Sequence, residues 1–319
     1  MEDVLDPDLP ICDPHHHLWD HPGSRYMVEE LRADTGSGHR IESTVFVECG
    51  SGYRDAGPES MRPVGETVFL VEADPTGFVA GIVGMADLRV PDIDDVLAAH
   101  VDAGAGRFRG IRHASAWDAS PDIRESHTKP PPRLLAESDF RRGFAALGRA
   151  GLRFDAWLYH PQLPELAALA RAHPDVPIVL DHLGGPLGIG PYAGRRDEVR
   201  ASWRASMAEV AACENVTLKL GGIGMPIYGM GWHKAGGATS EQLAEAWGEP
   251  IRWCIETFGA RRCMFESNFP VDRASCSYRV LWNAFKRIVA DASPSERADL
   301  FQDTARRAYG LGGGATAES

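Results

Sequence analysis

Eight short runs of apolar, β-branched and aromatic residues recur along the 319-residue chain, and stretches with helical spacing of apolar residues separate most of them. The predicted strands are the run that ends at residues 13–17 and the runs 43–49, 78–85, 108–114, 153–159, 177–183, 216–222 and 263–269. Strands that alternate with helices form a parallel sheet, and eight such units can close into a (β/α)8 barrel of the TIM type. We therefore predict an α/β protein with a single TIM-type barrel domain, with an open doubly wound sheet as the alternative.

Helix signals lie between and after these strands, whereas residues 20–40 read only as a polar stretch. The patterns predict helices over residues 93–101, 139–150, 163–170, 195–214 and 275–291. Two more helices begin at recognisable caps, Thr239 and Ser293. The domain is expected to span residues 1–319, ordered from about residue 10 to about residue 311, with a disordered tail at 312–319.

The charge and composition of the chain exclude several classes of partner. Lys and Arg number 33 against 45 Asp and Glu, so the formal net charge of −12 repels nucleic acid and anionic lipid. No uninterrupted apolar run approaches the length of a membrane span. The cysteines are scattered without a C-x-x-C pair, and the first ten residues are acidic without Lys or Arg. We therefore expect a reduced, cytoplasmic protein.

Polar residues follow almost every predicted strand. In a TIM-type barrel the C-terminal ends of the strands meet at one face, and functional residues gather there. The residues at these ends are His15, His17, Glu48, Asp87, Arg112, His113, Tyr159, His160, His182, Lys219 and Glu266 to Asn268. We expect the functional site to be drawn from this set.

The strongest local signal is residues 13–20, which read Asp-Pro-His-His-His-Leu-Trp-Asp. Side chains alternate on a strand, so His15 and His17 project to one side and His16 to the other. Imidazole is the commonest neutral nitrogen ligand of zinc and similar ions, and two of them one strand period apart can bind one ion. We predict that His15 and His17 share a metal ion; a purification-tag remnant or a histidine-rich surface loop is the alternative.

Three segments together resemble the amidohydrolase superfamily. They are residues 13–20, residues 180–186 (Leu-Asp-His-Leu-Gly-Gly-Pro) and residues 262–270 (Arg-Cys-Met-Phe-Glu-Ser-Asn-Phe-Pro). Within that superfamily the chain resembles the group of barrel hydrolases that includes the 2-pyrone-4,6-dicarboxylate and sugar-lactone lactonases. The resemblance covers residue 13 to about residue 309.

The resemblance also implies a cofactor and its ligands. His15 and His17 correspond to the family's strand-one pair, and His182 corresponds to its strand-six histidine. With Glu48 as a carboxylate ligand, these residues are expected to hold one divalent ion, and zinc is the expected ion. Some members of this group hydrolyse lactones without a metal, in which case the histidines hydrogen-bond a substrate carbonyl instead.

The chain departs from the family pattern at strand eight. The family usually reads Gly-Ser-Asp-Trp-Pro there, with the aspartate as general base, whereas this chain has Glu266, Asn268 and Phe269. We predict that Glu266 supplies the acidic function that Asn268 lacks, because both positions would face the same way on one strand. Asp272 is the competing base. The structural alternative is that Glu266 is a buried partner for Lys219 or for a histidine.

Five residues are predicted to contact the substrate: Arg112, His113, Trp117, Tyr159 and His160. The planar guanidinium of Arg112 suits a carboxylate or a polarised carbonyl. Trp117, on a long loop, suits an apolar or planar group. Each also has a structural interpretation, because strand-end histidines and loop tryptophans often only stabilise the fold.

Together these observations favour a hydrolase that opens a lactone or related cyclic ester with activated water. The substrate would be a small molecule, with or without a carboxylate, and His182 would be required for turnover. One alternative is a decarboxylase or hydratase type of lyase, which the same superfamily also contains. The other is a barrel that binds a small ligand without catalysis. The sequence is compatible with a homo-oligomer.

Overall fold

The computed structural model describes residues 2–312, in which eight parallel strands form a nearly closed barrel with helices between them. The barrel strands are β1 Pro10–His16, β2 Arg40–Val47, β3 Val79–Gly84, β4 Phe108–Ile111, β5 Arg153–Ala156, β6 Ile178–Leu180, β7 Val216–Leu220 and β8 Cys263–Phe265. The prediction of a single-domain TIM-type barrel is confirmed. The tail predicted to be disordered lies, from residue 313 onward, outside the described residues.

The strands pair in chain order, each parallel to the next, and an isolated parallel bridge between His16 and Phe269 joins β1 to the segment that follows β8. The closing contacts lie just beyond the end of β8. The backbone N–H of His17 donates to the carbonyl oxygen of Phe269 at 2.8 Å, and that of Asn268 donates to the carbonyl oxygen of His15 at 2.9 Å. Closure therefore brings the histidine stretch and the strand-eight segment side by side.

Within the described residues, the helices are α1 Val28–Thr35, α2 Val64–Ala73, α3 Ile93–Ala103, α4 Ser138–Arg149, α5 Leu163–Ala172, α6 Arg196–Ala211, α7 Ser240–Phe258, α8 Tyr278–Ile288, α9 Pro294–Ala298, a π-helical turn Asp299–Asp303 and α10 Thr304–Tyr309. The two predicted caps are confirmed. The side chain of Thr239 accepts the N–H of Gln242 at the start of α7, and Ser293 accepts the N–H of Glu296 at the start of α9.

Residues 20–40, predicted as a polar stretch without regular structure, form a hairpin strand pair and a helix. This segment completes a short antiparallel hairpin, Trp19–His21 with Ser24–Tyr26, and then forms α1. The sequence of α1 lacks an apolar stripe, and its buried residues are Leu31 and Thr35. At its start, the carboxylate of Glu30 accepts the backbone N–H of Met27 at 2.8 Å. Capping and tertiary packing therefore stabilise this helix rather than apolar periodicity.

The barrel interior has an apolar layer beneath a polar one. The apolar side chains come from five strands and pack with Tyr309 of α10: Cys12, Val45, Val83, Val179 and Met264. Val179 and Met264 lie two residues before Asp181 and Glu266, so the same strand faces carry carboxylates one layer higher. The hydroxyl of Tyr309 donates to Oδ2 of Asp155 at 2.6 Å and joins the two layers. No helix among residues 2–312 has the length and apolar character needed to cross a membrane.

Candidate active site

Glu266 lies at the centre of a buried cluster that follows the C-terminal ends of the strands. Its Oε1 accepts hydrogen bonds from Nδ1 of His182 at 2.7 Å and from the backbone N–H of the same residue at 3.2 Å. Its Oε2 lies 2.8 Å from Nδ1 of His15, without forming an aligned hydrogen bond. Burial by itself would raise the pKa of Glu266, but His182 and His15 outweigh burial and hold the pKa at about 2. The carboxylate is therefore ionised at neutral pH.

The hydrogen bonds of two histidines assign their tautomers. Nδ1 of His182 is the donor in the bond described above, and Nδ1 of His17 donates to the carbonyl oxygen of Val47 at 2.8 Å. Nε2 of these two imidazoles therefore carries a lone pair, which is the form that binds a metal ion. His15 faces a cation at each ring nitrogen, because Nη1 of Arg112 lies 3.3 Å from its Nε2 and Nζ of Lys219 lies 3.1 Å from its Nδ1.

The alternation predicted for the histidine stretch is observed. The ring centroid of His15 is 4.9 Å from that of His17 and 4.5 Å from that of His182. His16 points the other way, and its Nε2 lies 2.9 Å from Oγ1 of Thr44. Burial lowers the pKa of both His15 and His17, so these imidazoles are neutral at physiological pH.

Asp155 and Asp181 are absent from the predicted site residues, yet both are central to the site. Nζ of Lys219 donates to Oδ2 of Asp155 at 2.8 Å and lies 2.9 Å from Oδ1 of Asp181. Burial by itself would lower the pKa of Lys219, but the two carboxylates raise it to about 12. The sequence did contain a signal for Asp155, which is a charged residue inside an apolar strand. Asp181 directly precedes His182, one of the motif histidines.

The cluster has the donor atoms for a divalent metal ion. Ligand atoms of His15, Asp181 and His182 all lie within 4.8 Å of one another, and His17 and Glu48 are not part of that group. Among the residues that the structure describes, Oδ1 of Asp181 is buried and accepts no aligned hydrogen bond. Imidazole nitrogens and carboxylate oxygens are the donors that zinc and related ions take. These three residues therefore fit such an ion.

The charges of the cluster also favour a cation. Its four buried carboxylates are those of Glu48, Asp155, Asp181 and Glu266. Its two permanently charged cations are Arg112 and Lys219. Two negative charges remain after these are paired. A buried charge without a counterion is costly, so a divalent ion or protonated histidines would stabilise this arrangement.

Glu48 is held by an arginine and a histidine. Nε of Arg112 donates to Oε1 of Glu48 at 2.7 Å, and Nη2 donates to the backbone oxygen of Glu48 at 2.5 Å. Nε2 of His127 lies 2.8 Å from Oε2. Burial would lower the pKa of His127, but Glu48 outweighs it and raises that pKa. No sequence pattern indicated His127, which lies on the long loop after β4.

The geometry predicted for strand eight is wrong. β8 ends at Phe265, and Asn268 has a left-handed backbone conformation with φ of 54°. The side chain of Asn268 donates to Oδ1 of Asp272 at 2.8 Å, whereas that of Glu266 contacts the histidines. The segment after Phe265 is hydrogen-bonded to β1 instead, for example through the N–H of Ser267, which donates to Oδ1 of Asp13 at 2.9 Å.

Asp272 is a second buried carboxyl group beside this cluster. Its Oδ2 accepts the backbone N–H of Gly224 at 2.7 Å, and its Oδ1 accepts the side-chain N–H of Asn268. Burial raises the pKa of Asp272 to about 7, even though these hydrogen bonds lower it. Asp272 therefore titrates near neutral pH, in contrast to Glu266.

Two glycines after β7 make room for the pair formed by Glu266 and His182. A Cβ on Gly221 would lie 2.3 Å from Cγ of Glu266. A Cβ on Gly222 would lie 2.7 Å from Nδ1 of His182, and Gly222 has a φ of 66° that L side chains rarely adopt. The Gly-Gly sequence is therefore a requirement of the site.

Two predicted substrate-binding histidines do not join the cluster. Nδ1 of His113 accepts the backbone N–H of Leu88, and Nδ1 of His160 accepts that of Leu187, each at 3.3 Å. Burial lowers the pKa of both histidines to about 4. In this structure they stabilise the loops at the mouth of the barrel.

The predicted aromatic residues, Tyr159 and Trp117, are hydrogen-bonded to neighbouring loop residues. The hydroxyl of Tyr159 donates to the backbone oxygen of Arg124 at 2.5 Å, and the backbone N–H of Trp117 donates to a glutamine side chain at 3.1 Å. Trp157, which sequence analysis did not single out, has its ring centroid 4.8 Å from that of His182. It is the aromatic side chain that borders His182, while Trp19 is stacked on His17 with ring centroids 6.2 Å apart.

A family model described as "Amidohydrolase" matches residues 12–311. The chain belongs to the amidohydrolase family. An uncharacterized protein of Sinorhizobium fredii, y4mH, is 34% identical to this amidohydrolase over 326 residues, which cover 95% of this chain and 99% of y4mH. An L-fucono-1,5-lactonase of Burkholderia multivorans is 31% identical over 248 residues, which cover 77% of each chain. The resemblance stated from sequence is thereby confirmed.

A solved structure agrees with the fold. The crystal structure of an amidohydrolase from Burkholderia multivorans with bound zinc has a TM-score of 0.75 and 26% identity, and the match covers 95% of this chain and 99% of that one. Family membership makes the present chain a hydrolase with a small-molecule substrate. Together with the His and Asp donors, it supports a metal ion at the cluster.

Proposed function

We propose that this amidohydrolase hydrolyses a small lactone, with one zinc ion held by His15, Asp181 and His182. The observation that carries the proposal is the hydrogen bond from Nδ1 of His182 to Glu266, which leaves Nε2 of His182 as a metal ligand beside the ligand atoms of His15 and Asp181. The 31% identity to an L-fucono-1,5-lactonase supports a lactone derived from a sugar.

The zinc ion, when bound, would polarise the lactone carbonyl and lower the pKa of water. The residues of the chain act around it. Glu266 is ionised, and among residues 2–312 its Oε2 has no aligned donor, so this oxygen receives the proton of the attacking water. Arg112 directs Nη1 toward His15 and stabilises the developing oxyanion. Trp157 shields the histidines from bulk water.

The test is a panel of substrates. Sugar lactones with five- and six-membered rings, 2-pyrone-4,6-dicarboxylate and carboxylated phenols are incubated with the enzyme, and proton release and carbon dioxide release are recorded separately. We expect ring opening of at least one sugar lactone, lost in His182→Ala and retained in His173→Ala, a control at the end of α5. Carbon dioxide release without ring opening would support a lyase. Thermal stabilisation by a lactone without turnover would support a non-catalytic barrel.

A further inference from the structure

A cavity of about 290 Å³ lies on the outer side of the barrel, apart from the catalytic cluster. It opens between α6 and α7 and the loops that follow β6 and β7. Its walls include the aromatic side chains of Trp203, Tyr228 and Trp247. No residue proposed above for metal binding or catalysis lines it, so it is separate from the catalytic cluster.

The apolar walls of this cavity contrast with the rest of the surface. Among the described residues, the one large hydrophobic side chain that is exposed is Val101. The other large apolar side chains are buried or partly buried. A concave site with aromatic walls and a few polar groups is typical of small-ligand pockets. Pro250 of α7 also lines this cavity.

The charged residues that line the cavity are both arginines, Arg196 and Arg200, in a chain with a net charge of −12. They are four residues apart at the start of α6, so they share one face of the helix near its positive end. Arg200 lies 3.5 Å from Glu249, a carboxylate that Arg204 also contacts. Nη2 of Arg196 lies against the sulfur of Met230. This end of the cavity therefore favours an anion.

We propose that this cavity binds a small planar organic anion of the aryl carboxylate class. The carboxylate is held by the guanidinium groups of Arg196 and Arg200, which match its planar geometry. The ring lies against Trp203 and Trp247. The proposal concerns a ligand site apart from the catalytic cluster and does not depend on the lactonase assignment.

The tryptophan side chains provide a direct readout of occupancy. The ring of Tyr228 lies 5.0 Å from that of Trp247, and the hydroxyl of Tyr228 donates to the backbone oxygen of His182 at 2.8 Å. Tyr228 therefore forms a wall between the cavity and the catalytic side. A ligand in the cavity contacts Trp247 directly without entering the cluster.

The experiment is a titration of the full-length protein with 2-naphthoate, followed by tryptophan fluorescence and by calorimetry. We expect one site per chain with a Kd of about 1 mM or tighter, the range for a ligand of this size. Arg196→Gln and Arg200→Gln should each weaken binding by about tenfold. Arg149→Gln, an exposed arginine on α4, is the matched control and should leave the Kd unchanged.

Two further measurements locate the site. The neutral analogue 2-naphthalenemethanol should bind at least about tenfold more weakly, since it lacks the charge that the arginines hold. His182→Ala should bind 2-naphthoate as the unmodified protein does. Absence of saturable binding up to about 10 mM, equal binding in both arginine variants, or loss of binding in His182→Ala would each overturn the proposal.

Discussion

Nδ1 of His182 donates to Oε1 of Glu266 at 2.7 Å, and neither side chain is more than 3% exposed. The two residues are 84 positions apart in the chain, at the ends of β6 and β8. This hydrogen bond fixes the tautomer of the histidine and keeps a carboxylate ionised in the interior. It is the contact on which the proposed chemistry depends.

Replacing Glu266 with glutamine should reduce kcat by about a hundredfold or more, because the amide does not accept a proton from the attacking water. Glu256→Gln, on the exposed side of α7, is the control and should retain full activity. Circular dichroism would verify that both variants are folded. Full activity in Glu266→Gln would remove this residue from the mechanism and leave Asp272 as the proton acceptor.

Gly222→Ala and Gly231→Ala form a matched pair. Both glycines have positive φ, 66° and 74°, so each alanine should cost about 1 to 2 kcal/mol of stability. A Cβ at Gly222 would contact the ring of His182, whereas one at Gly231 would meet no atom within 4 Å. We therefore expect a larger loss of stability in Gly222→Ala than in Gly231→Ala in denaturant unfolding, with a large loss of kcat only in Gly222→Ala. Equal activities would show that His182 tolerates displacement.

Arg112→Lys should lower kcat/KM by about ten- to a hundredfold. Lysine cannot hold both Oε1 and the backbone oxygen of Glu48 while also directing a donor toward His15. Arg109→Lys, on the same strand, is the control, because Arg109 donates to backbone oxygens instead. Steady-state kinetics of the two variants would test this role. An unchanged kcat/KM in Arg112→Lys would exclude it.

Metal content should depend on His15 and not on its neighbour His16. We expect about one equivalent of zinc per chain after expression in zinc-supplemented medium, and loss of activity on treatment with a chelator. His15→Gln should lose the metal, whereas His16→Gln, which changes the outward-facing residue, should keep it. Elemental analysis of the folded fraction would show the difference. Full activity without bound metal would support the metal-free mechanism.

Asp272 should make stability depend on pH. Burial raises its pKa to about 7, well above the value near 4 expected in the unfolded chain, so the folded state binds the extra proton between these values. The contribution of Asp272 is therefore greatest below about pH 4 and is lost as the pH rises through about 7. Asp272→Asn should remove this part of the dependence. Urea unfolding of both proteins from pH 4.5 to 8 would measure it, and parallel curves would contradict it.

The sequence alone was sufficient for the barrel, for the caps of α7 and α9, and for the faces of His15, His16 and His17. These features depend on local periodicity, because side chains alternate along a strand and cap residues bond within three positions. The order of strands and helices then limits how the chain can close. The location of the histidine stretch and of the strand-eight motif, at the C-terminal ends of strands, follows from that architecture.

Only the tertiary structure decided which buried charges pair. Glu266 contacts His182 and His15, Lys219 contacts Asp155 and Asp181, and the left-handed turn at Asn268 directs its side chain to Asp272. Strand periodicity fixes the face on which a side chain lies but not its partner. In a buried cluster the partner is the nearest opposite charge or aligned donor, and the register of all eight strands together with barrel closure sets those distances.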